Sequence, residues 1–189
     1  MKCLGIIFSS RKQGNCAKSV KYCLDKINLH EYQVEMINIF DYEVQGCGDC
    51  SYHCFESGFC SKEDDILELY KKCFEADKII FAIPTFCGHL ASSYFKFWER
   101  SQAIFKDSLE YENEFLKKLN FIIIGNLSSG GDMALHEALY GFINRRFYSE
   151  AILLSSREYN KSSIKDNLIE SDDVKKRLNS FIEKIINQR

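Results

Sequence analysis

The chain contains 189 residues, of which 25 are Lys or Arg and 27 are Asp or Glu, so its formal net charge at pH 7 is −2. A chain this close to neutral lacks the basic surface that binds nucleic acid or anionic membranes. It has no run of about 18 apolar residues, so we expect no transmembrane helix. This length predicts one domain over residues 1–189. Nine cysteines without a recognisable signal peptide predict a cytoplasmic location, where thiol or metal roles are favoured over a disulfide framework.

Short apolar runs alternate with helical patterns along the chain, and they predict five strands at residues 4–8, 34–39, 79–83, 121–124 and 151–154. Strands that alternate with helices predict an α/β fold with a parallel sheet covered on both faces. Rossmann-like and flavodoxin-like arrangements are both common solutions, and five strands favour the second. We therefore predict a flavodoxin-like three-layer sandwich with strand order 2-1-3-4-5.

Several local signals refine this prediction. Pro84 is expected to end the third strand, and Ser61 followed by Asp64 resembles a capping box before a helix. The polar stretches 107–118 and 156–171 are expected to be surface connections. Four aromatic residues crowd the third helix more densely than one core-facing side requires, which favours a partner surface there: Tyr94, Phe95, Phe97 and Trp98.

The loop after the first strand reads Ser9-Ser10-Arg11-Lys12-Gln13-Gly14-Asn15-Cys16 and directly precedes a predicted helix. Unpaired amides at a helix N-terminus favour an anion, and the Ser, Asn, Arg and Lys side chains add donors. Neither G-x-G-x-x-G nor G-x-x-x-x-G-K-[ST] follows the strand, which disfavours a dinucleotide or triphosphate site. The loop predicts a site for a single phosphate, although a polar turn that only caps the helix fits the residues equally well.

This loop resembles the phosphate loop of the NADPH-dependent FMN reductase family, whose usual pattern is Gly-Ser-Pro-Arg-Lys-x-Gly-Asn-Thr. Ser9, Arg11, Lys12, Gly14 and Asn15 match that pattern, whereas Phe8, Ser10 and Cys16 depart from it. A thiol is a weaker donor than the Thr hydroxyl that Cys16 replaces. The resemblance implies that FMN is the cofactor and that this loop holds its phosphate.

Two later segments resemble the other loops of the family in the same order. Residues 82–89 correspond to the loop that packs along the isoalloxazine, and residues 125–132 correspond to the loop after the fourth strand. Both follow strands, as a ligand site in this fold requires. The resemblance implies this set of FMN-binding residues: Ser9, Ser10, Arg11, Gly14, Asn15, Cys16, Pro84, Thr85, Phe86, Cys87, Gly88, Asn126, Ser128, Ser129, Gly130 and Gly131.

A cysteine-rich loop at residues 47–60 contains Cys47, Cys50, Cys54 and Cys60. Thiolates are soft ligands for iron–sulfur clusters and zinc, but four free thiols packed in a loop are an equally good interpretation. The loop resembles the cysteine motif of the iron–sulfur flavoproteins, a branch of the same family, with one extra residue between the second and third cysteines. This resemblance implies that the four cysteines hold a 4Fe–4S cluster near FMN. Cys23 and Cys73 are expected to be core residues, and Cys3 lies in the first strand.

The resemblance implies an FMN-dependent oxidoreductase and a homodimer. Electrons would pass from NAD(P)H or a redox protein partner to a small-molecule acceptor such as a quinone, a nitroaromatic or a flavin. Because flavin chemistry needs no protein nucleophile or base, we expect no catalytic residues, although His89 lies in the flavin loop. Two alternatives remain: an iron–sulfur flavoprotein that carries electrons without small-molecule turnover, and a non-enzymatic thiol redox module.

Overall fold

The computed structural model describes residues 1–106, 108–126 and 130–188. Five parallel strands form one sheet in the order β2-β1-β3-β5-β6. A sixth strand, β4, pairs antiparallel with the end of β3. The strands are β1 (Lys2–Ile7), β2 (Gln33–Asn38), β3 (Lys78–Phe86), β4 (His89–Leu90), β5 (Leu119–Ile124) and β6 (Ala151–Leu154). The predicted fold and the order of its five parallel strands are confirmed, and β4 is an addition to them.

Helices cover both faces of the sheet. They are α1 (Asn15–Ile27), α2 (His53–Ser57), α3 (Ile66–Glu75), α4 (Ser92–Glu99), α5 (Ser101–Phe105), α6 (Leu109–Leu116), α7 (Gly131–Leu139) and α8 (Asp172–Asn187). The period-two alternation of β1 divides the core: Leu4 and Ile6 pack on one face, and Cys3 and Ile7 on the other. Helices α1 and α8 cover the second of these faces, and α3, α4, α6 and α7 cover the first.

Three cysteines are core residues, as expected for two of them. Cys3, Cys23 and Cys73 are each 0% exposed, and burial raises the pKa of the Cys3 thiol to about 12. These thiols are therefore protonated at neutral pH and act as small apolar side chains.

The expected surface connection at 107–118 is wrong, because helix α6 occupies most of it. Ser108 starts the helix, since its Oγ accepts a hydrogen bond from the Tyr111 amide at 3.1 Å. Phe115 and Leu116 are fully buried and anchor the helix to the core. Among the described residues, no helix combines the length and apolar character that crossing a membrane requires.

Core packing accounts for most of the aromatic crowding on α4. Tyr94 and Phe97 are buried, and Trp98 stacks on Tyr94 with ring centroids 6.1 Å apart. Phe95 remains 39% exposed. The helix therefore presents less aromatic surface to a partner than its sequence indicates.

Candidate functional site

The three loops singled out in the sequence line one cavity of about 570 Å³ at the carboxyl end of the sheet. We refer to it as the loop cavity. Of the sequence-predicted residues, those that line it are Ser9, Ser10, Arg11, Asn15, Cys16, Pro84, Thr85, Phe86, Cys87, Gly88 and Asn126. Gly14, Gly130 and Gly131 shape the loops without lining the cavity. Ser128 and Ser129 lie outside the described residues.

The first loop is a tight turn that leads into α1. The Gly14 amide donates to the Arg11 carbonyl at 3.0 Å, and the Arg11 amide donates to Ser9 Oγ at 3.3 Å. Cys16 is 3% exposed, and burial raises the pKa of its thiol to about 12. The Cys16 thiol is therefore neutral and offers a ligand only a weak hydrogen bond.

Two buried polar side chains on the cavity wall each have one atom without a hydrogen-bond partner among the described residues. Asn15 is 3% exposed, and its Oδ1 accepts from the Leu168 amide at 3.1 Å. Asn15 Nδ2 and Ser156 Oγ have no hydrogen-bond partner among the described residues. A buried polar atom without a partner costs about 1–3 kcal/mol, so both atoms favour a ligand that supplies one.

The positive charge of the first loop is already paired within the protein. Arg11 Nη1 donates to the Asp166 carboxylate at 3.0 Å and to the Ser163 carbonyl at 2.9 Å. Lys12 pairs with Asp41. The carboxylate of Asp166 therefore shares Arg11 with any anion that enters this loop.

The second loop is a two-residue hairpin turn between β3 and β4. Cys87 and Gly88 both have left-handed backbones, with φ of 51° and 85°. Phe86 pairs with His89 across the turn, and the Pro84 carbonyl accepts from the Ala91 amide at 3.1 Å. Pro84 does not end β3 as expected, because the hairpin continues the strand to Phe86.

Glycines allow the second and third loops to approach each other closely. A Cβ on Gly125 would lie 2.1 Å from Thr85 Oγ1, and one on Gly130 would lie 2.8 Å from the Gly88 Cα. The Gly131 amide donates to the Asn126 carbonyl at 3.1 Å. Only glycine permits this approach, which defines one side of the loop cavity.

His89 lies just beyond the hairpin and outside the residues that line the loop cavity. Its Nδ1 is 2.6 Å from Glu137 Oε1, and the Leu90 amide donates to Glu137 Oε2 at 2.9 Å. With Nδ1 hydrogen-bonded to this carboxylate, Nε2 is the ring nitrogen available to solvent.

A second cavity, also of about 570 Å³, contains all four cysteines of the 47–60 loop on its wall. We refer to it as the cysteine cavity. Cys47 Sγ donates to the Glu99 carbonyl at 3.4 Å, and Cys60 Sγ accepts from Arg100 Nη2 at 3.2 Å. All four are free thiols. Among the described residues, no three His, Cys, Asp or Glu side chains are grouped closely enough to hold a metal ion.

A buried ion pair supports the cysteine cavity. Arg100 and Asp64 have side chains that are 1% and 0% exposed, and Arg100 Nη1 lies 2.5 Å from Asp64 Oδ2. Burial alone would raise the pKa of Asp64, but hydrogen bonds from Arg100 and from two backbone amides outweigh it and hold that pKa below its usual value. Arg100 Nε is buried and has no partner among the described residues.

Comparison with known proteins identifies the family. A sequence model of the NADPH-dependent FMN reductases matches residues 1–160. The chain belongs to this family. It is 26% identical over 144 residues to an iron-sulfur flavoprotein of Methanosarcina thermophila, covering 76% of this chain and 73% of that protein. It is 29% identical over 142 residues to an iron-sulfur flavoprotein of Methanocaldococcus jannaschii, covering 75% of this chain and 71% of that protein.

Solved structures share the fold of this FMN reductase family member. RosB, with a bound riboflavin-phosphate intermediate, superposes with a TM-score of 0.70 at 15% identity and covers 97% of this chain and 76% of its own. An NADH:FMN oxidoreductase superposes with a TM-score of 0.62 at 17% identity and covers 97% and 87% of the two chains. The chain is thus a flavodoxin-like flavoprotein of an oxidoreductase family.

The loop cavity suits the flavin mononucleotide of this family. Asn15 Nδ2, Ser156 Oγ and the amides at the start of α1 are the kinds of group that hydrogen-bond phosphate oxygens. The sequence interpretation missed Ser156, Ser163 and Ile164, which reach the cavity from the segment after β6. The position of Ser156 just beyond the predicted fifth strand was the available signal, since ligands bind at strand carboxyl ends.

The cysteine cavity suits an iron–sulfur cluster in its donor chemistry. Four thiols are the usual ligand set of a 4Fe–4S cluster, and Arg100 Nη2 already donates to one of them, Cys60 Sγ, at 3.2 Å. Sequence reasoning missed Arg100, because an arginine at the end of a helical pattern resembles an ordinary surface residue.

Proposed function

We propose that this protein is an FMN-dependent oxidoreductase that binds FMN in the loop cavity, with the phosphate at residues 9–16. Electrons would come from NAD(P)H or a protein donor and would pass to a small acceptor such as a quinone, a nitroaromatic or a flavin. The observation that carries this proposal is the convergence of three family loops on one cavity whose wall has unpartnered buried donors. Its free cysteines and near-neutral charge suit a cytoplasmic setting.

The residues of the cavity would have distinct tasks. Ser9, Ser10, Arg11 and Asn15 would bind the phosphate, and the hairpin from Pro84 to Gly88 would contact the isoalloxazine. FMN held there would supply two-electron chemistry, accepting a hydride or electrons from a donor and passing them to an acceptor. Phe86, which is 64% exposed, would cover one edge of the ring and exclude water from it.

A flavin titration tests this proposal. Replacing Asn15→Asp keeps the Oδ1 acceptor for Leu168 but exchanges the Nδ2 donor for a negative charge. A hydrogen bond to a charged group is worth about 1.5–3 kcal/mol, so the affinity for FMN should fall by about tenfold to a hundredfold. The affinity for riboflavin, which lacks the phosphate, should change little.

The matched control is Asn28→Asp, which makes the same exchange at an exposed position at the opposite end of α1. It should retain the wild-type affinity for FMN. Failure of the wild-type protein to bind FMN would contradict the proposal and favour the thiol redox module. Consumption of NADH or NADPH with menadione as acceptor then tests turnover.

A second candidate function is that of an iron–sulfur flavoprotein electron carrier. Cys47, Cys50, Cys54 and Cys60 share one cavity beside the buried Arg100, and the two relatives described above are iron-sulfur flavoproteins. A 4Fe–4S cluster held there would transfer single electrons. The thiols would have to move closer together to ligate it, which would require the 47–60 loop, including the short helix α2, to rearrange.

Iron and sulfide analysis after anaerobic purification tests the second candidate. Wild-type protein should contain about four irons and four sulfides, as a 4Fe–4S cluster requires. Cys50→Ser should lose them, whereas Cys73→Ser, in the core, should retain them if it folds. Wild-type protein without iron after anaerobic reconstitution would contradict cluster binding while leaving the FMN proposal intact.

We also propose that the protein is a homodimer. The family resemblance supports this, and Phe95, 39% exposed on α4, is an apolar side chain available to a partner. Analytical ultracentrifugation should give twice the 22.0 kDa chain mass. A monomer at micromolar concentration would contradict it.

A further inference from the structure

The segment at residues 162–168 lies against the first loop and is attached to it by a network of hydrogen bonds. Asp166 is central to this network: Oδ2 accepts from Arg11 at 3.0 Å, and Oδ1 accepts from the Asn15 amide at 3.1 Å. Lys18 Nζ donates to the Asp166 carbonyl at 2.7 Å. Ser163 and Ile164 of the same segment line the loop cavity. The segment is therefore part of the wall around the proposed phosphate site.

The position of the Asp166 carboxylate is one that favours an anion. The Asn15 amide is the first of α1 and has no partner within the helix, and the helix dipole adds positive potential there. The Arg11 guanidinium contributes a full positive charge on the other side of the carboxylate. These are two of the groups that the proposed function assigns to the FMN phosphate.

The backbone at Asp166 supports a specific role for its side chain. Its φ is 51°, a left-handed conformation that Asp and Asn adopt more readily than other L-residues. The hydrogen bonds of the carboxylate to Arg11 and to the Asn15 amide hold the side chain against the first loop. The side chain is 19% exposed, so water weakens these contacts only partly.

We propose that Asp166 is a specificity-determining residue that competes with the flavin phosphate for Arg11 and for the Asn15 amide. The inference rests on the proposed function, which places the phosphate at this loop. As a consequence, part of the binding free energy of the FMN phosphate is offset by the cost of displacing the Asp166 carboxylate. FMN is therefore an exchangeable ligand. The protein binds FMN more tightly than riboflavin, but by a smaller factor than Arg11 and the Asn15 amide would give without Asp166.

The test compares FMN and riboflavin binding in wild-type protein and in Asp166→Asn. The asparagine keeps a neutral acceptor for the Asn15 amide and tolerates the left-handed backbone, but it no longer attracts Arg11. We expect the affinity for FMN to rise about tenfold, the release of FMN to slow correspondingly, and the affinity for riboflavin to stay within about twofold. Asp173→Asn removes the same charge from an exposed position on α8 and should leave both affinities unchanged.

Several outcomes would overturn the proposal. An unchanged or lower affinity for FMN in Asp166→Asn would mean that Asp166 positions Arg11 for the phosphate instead of competing with it. An equal gain for riboflavin would mean that the substitution opens the cavity generally. Asp166→Ala provides a second variant if Asn impairs folding, and the same gain for FMN is expected.

Inorganic phosphate separates this proposal from the proposed function. Phosphate should raise the melting temperature of Asp166→Asn more than that of the wild type, because no carboxylate opposes it. If phosphate stabilises Asp166→Asn more than the wild type but neither flavin binds, the FMN proposal fails, and Asp166 still competes with a phosphate anion for Arg11 and the Asn15 amide. If FMN binds but phosphate stabilises both proteins equally, the competition fails while the FMN proposal stands.

Discussion

The loop cavity and the cysteine cavity have the same volume but depend on different parts of the structure. The loop cavity lies at the ends of β1, β3, β5 and β6, and its shape comes from backbone turns and from glycines in close contact. The cysteine cavity lies between the segment that joins β2 to α3, which includes the short helix α2, and residues 99–103, and a buried ion pair supports it. Sheet topology therefore fixes the first cavity, whereas a few side chains determine the second. A substitution that disrupts one cavity should therefore leave the other intact.

The largest expected effect comes from breaking the buried ion pair. Asp64→Asn leaves the guanidinium of Arg100 buried without its counter-charge, which costs about 3–5 kcal/mol of unfolding free energy. Urea unfolding measures this loss, and limited proteolysis should detect cleavage within the 47–60 loop. Where the variant is still folded, FMN affinity should match the wild type.

Two further variants make this test specific to burial. Asp25→Asn breaks an exposed ion pair with Lys21 and should cost less than about 1 kcal/mol. The double variant Asp64→Leu with Arg100→Met removes both charges together and should recover much of the loss. A mild effect of Asp64→Asn would mean that the ion pair does not support the cysteine cavity.

The same pair predicts a pH dependence of stability. Because the pKa of Asp64 is lower in the folded protein than its ordinary value of about 3.9, its contribution is present above pH 3.9. That contribution is lost as the pH falls through the folded pKa. The difference in unfolding free energy between wild type and Asp64→Asn should be constant near neutral pH and should narrow below about pH 4. If the difference in unfolding free energy stays constant below about pH 4, the lowered pKa of Asp64 in the folded protein is contradicted.

The loop cavity should be most sensitive at its glycine contact. In Gly130→Ala the new Cβ would meet the Gly88 backbone at 2.8 Å, at a φ of 82°. We expect a loss of about 1–3 kcal/mol in stability and a fall in FMN affinity, because the second and third loops must separate. Accessibility of the cysteine cavity to thiol reagents should not change.

Gly58→Ala is the matched control for this contact. Gly58 has a φ of 81°, but among the described residues nothing lies within 4 Å of a Cβ placed there. It should cost only the backbone strain of about 1 kcal/mol and should leave FMN affinity unchanged. Equal effects of the two substitutions on FMN binding would show that strain, and not loop contact, shapes the loop cavity.

The two cavities also differ in how far the sequence predicts them. Ser9 and Asn15 follow β1, Thr85 lies near the end of β3 and Asn126 follows β5. Parallel topology alone requires such residues to meet at one edge. The pairing of Asp166 with Arg11 could not be predicted, because it joins residues 155 positions apart through an irregular segment.

Asp64 illustrates the same limit in the cysteine cavity. Its spacing from Ser61 predicts a capping box, but that prediction is wrong: α3 begins at Ile66 with Asp65 as its N-cap, and Asp64 Oδ1 instead accepts from the Ile66 amide at 3.3 Å. Its main partner is nevertheless Arg100, at the far end of another helix. Local patterns predict local hydrogen bonds, whereas a buried pair between distant elements depends on packing that no sequence window contains.

The smallest expected effect concerns the hairpin turn of the loop cavity. Cys87 and Gly88 have the paired left-handed conformations of a two-residue turn in which Asn-Gly is strongly preferred. Cys87→Asn should therefore stabilise the flavin-free protein by about 0.5 kcal/mol, which is roughly 1–2 °C in Tm for a chain of this size. Cys87→Ala, which removes the thiol without favouring the turn, should give no gain in a thermal melt. If both variants melt below the wild type, the Cys87 thiol itself stabilises the hairpin, and side chains as well as backbone turns would then shape the loop cavity.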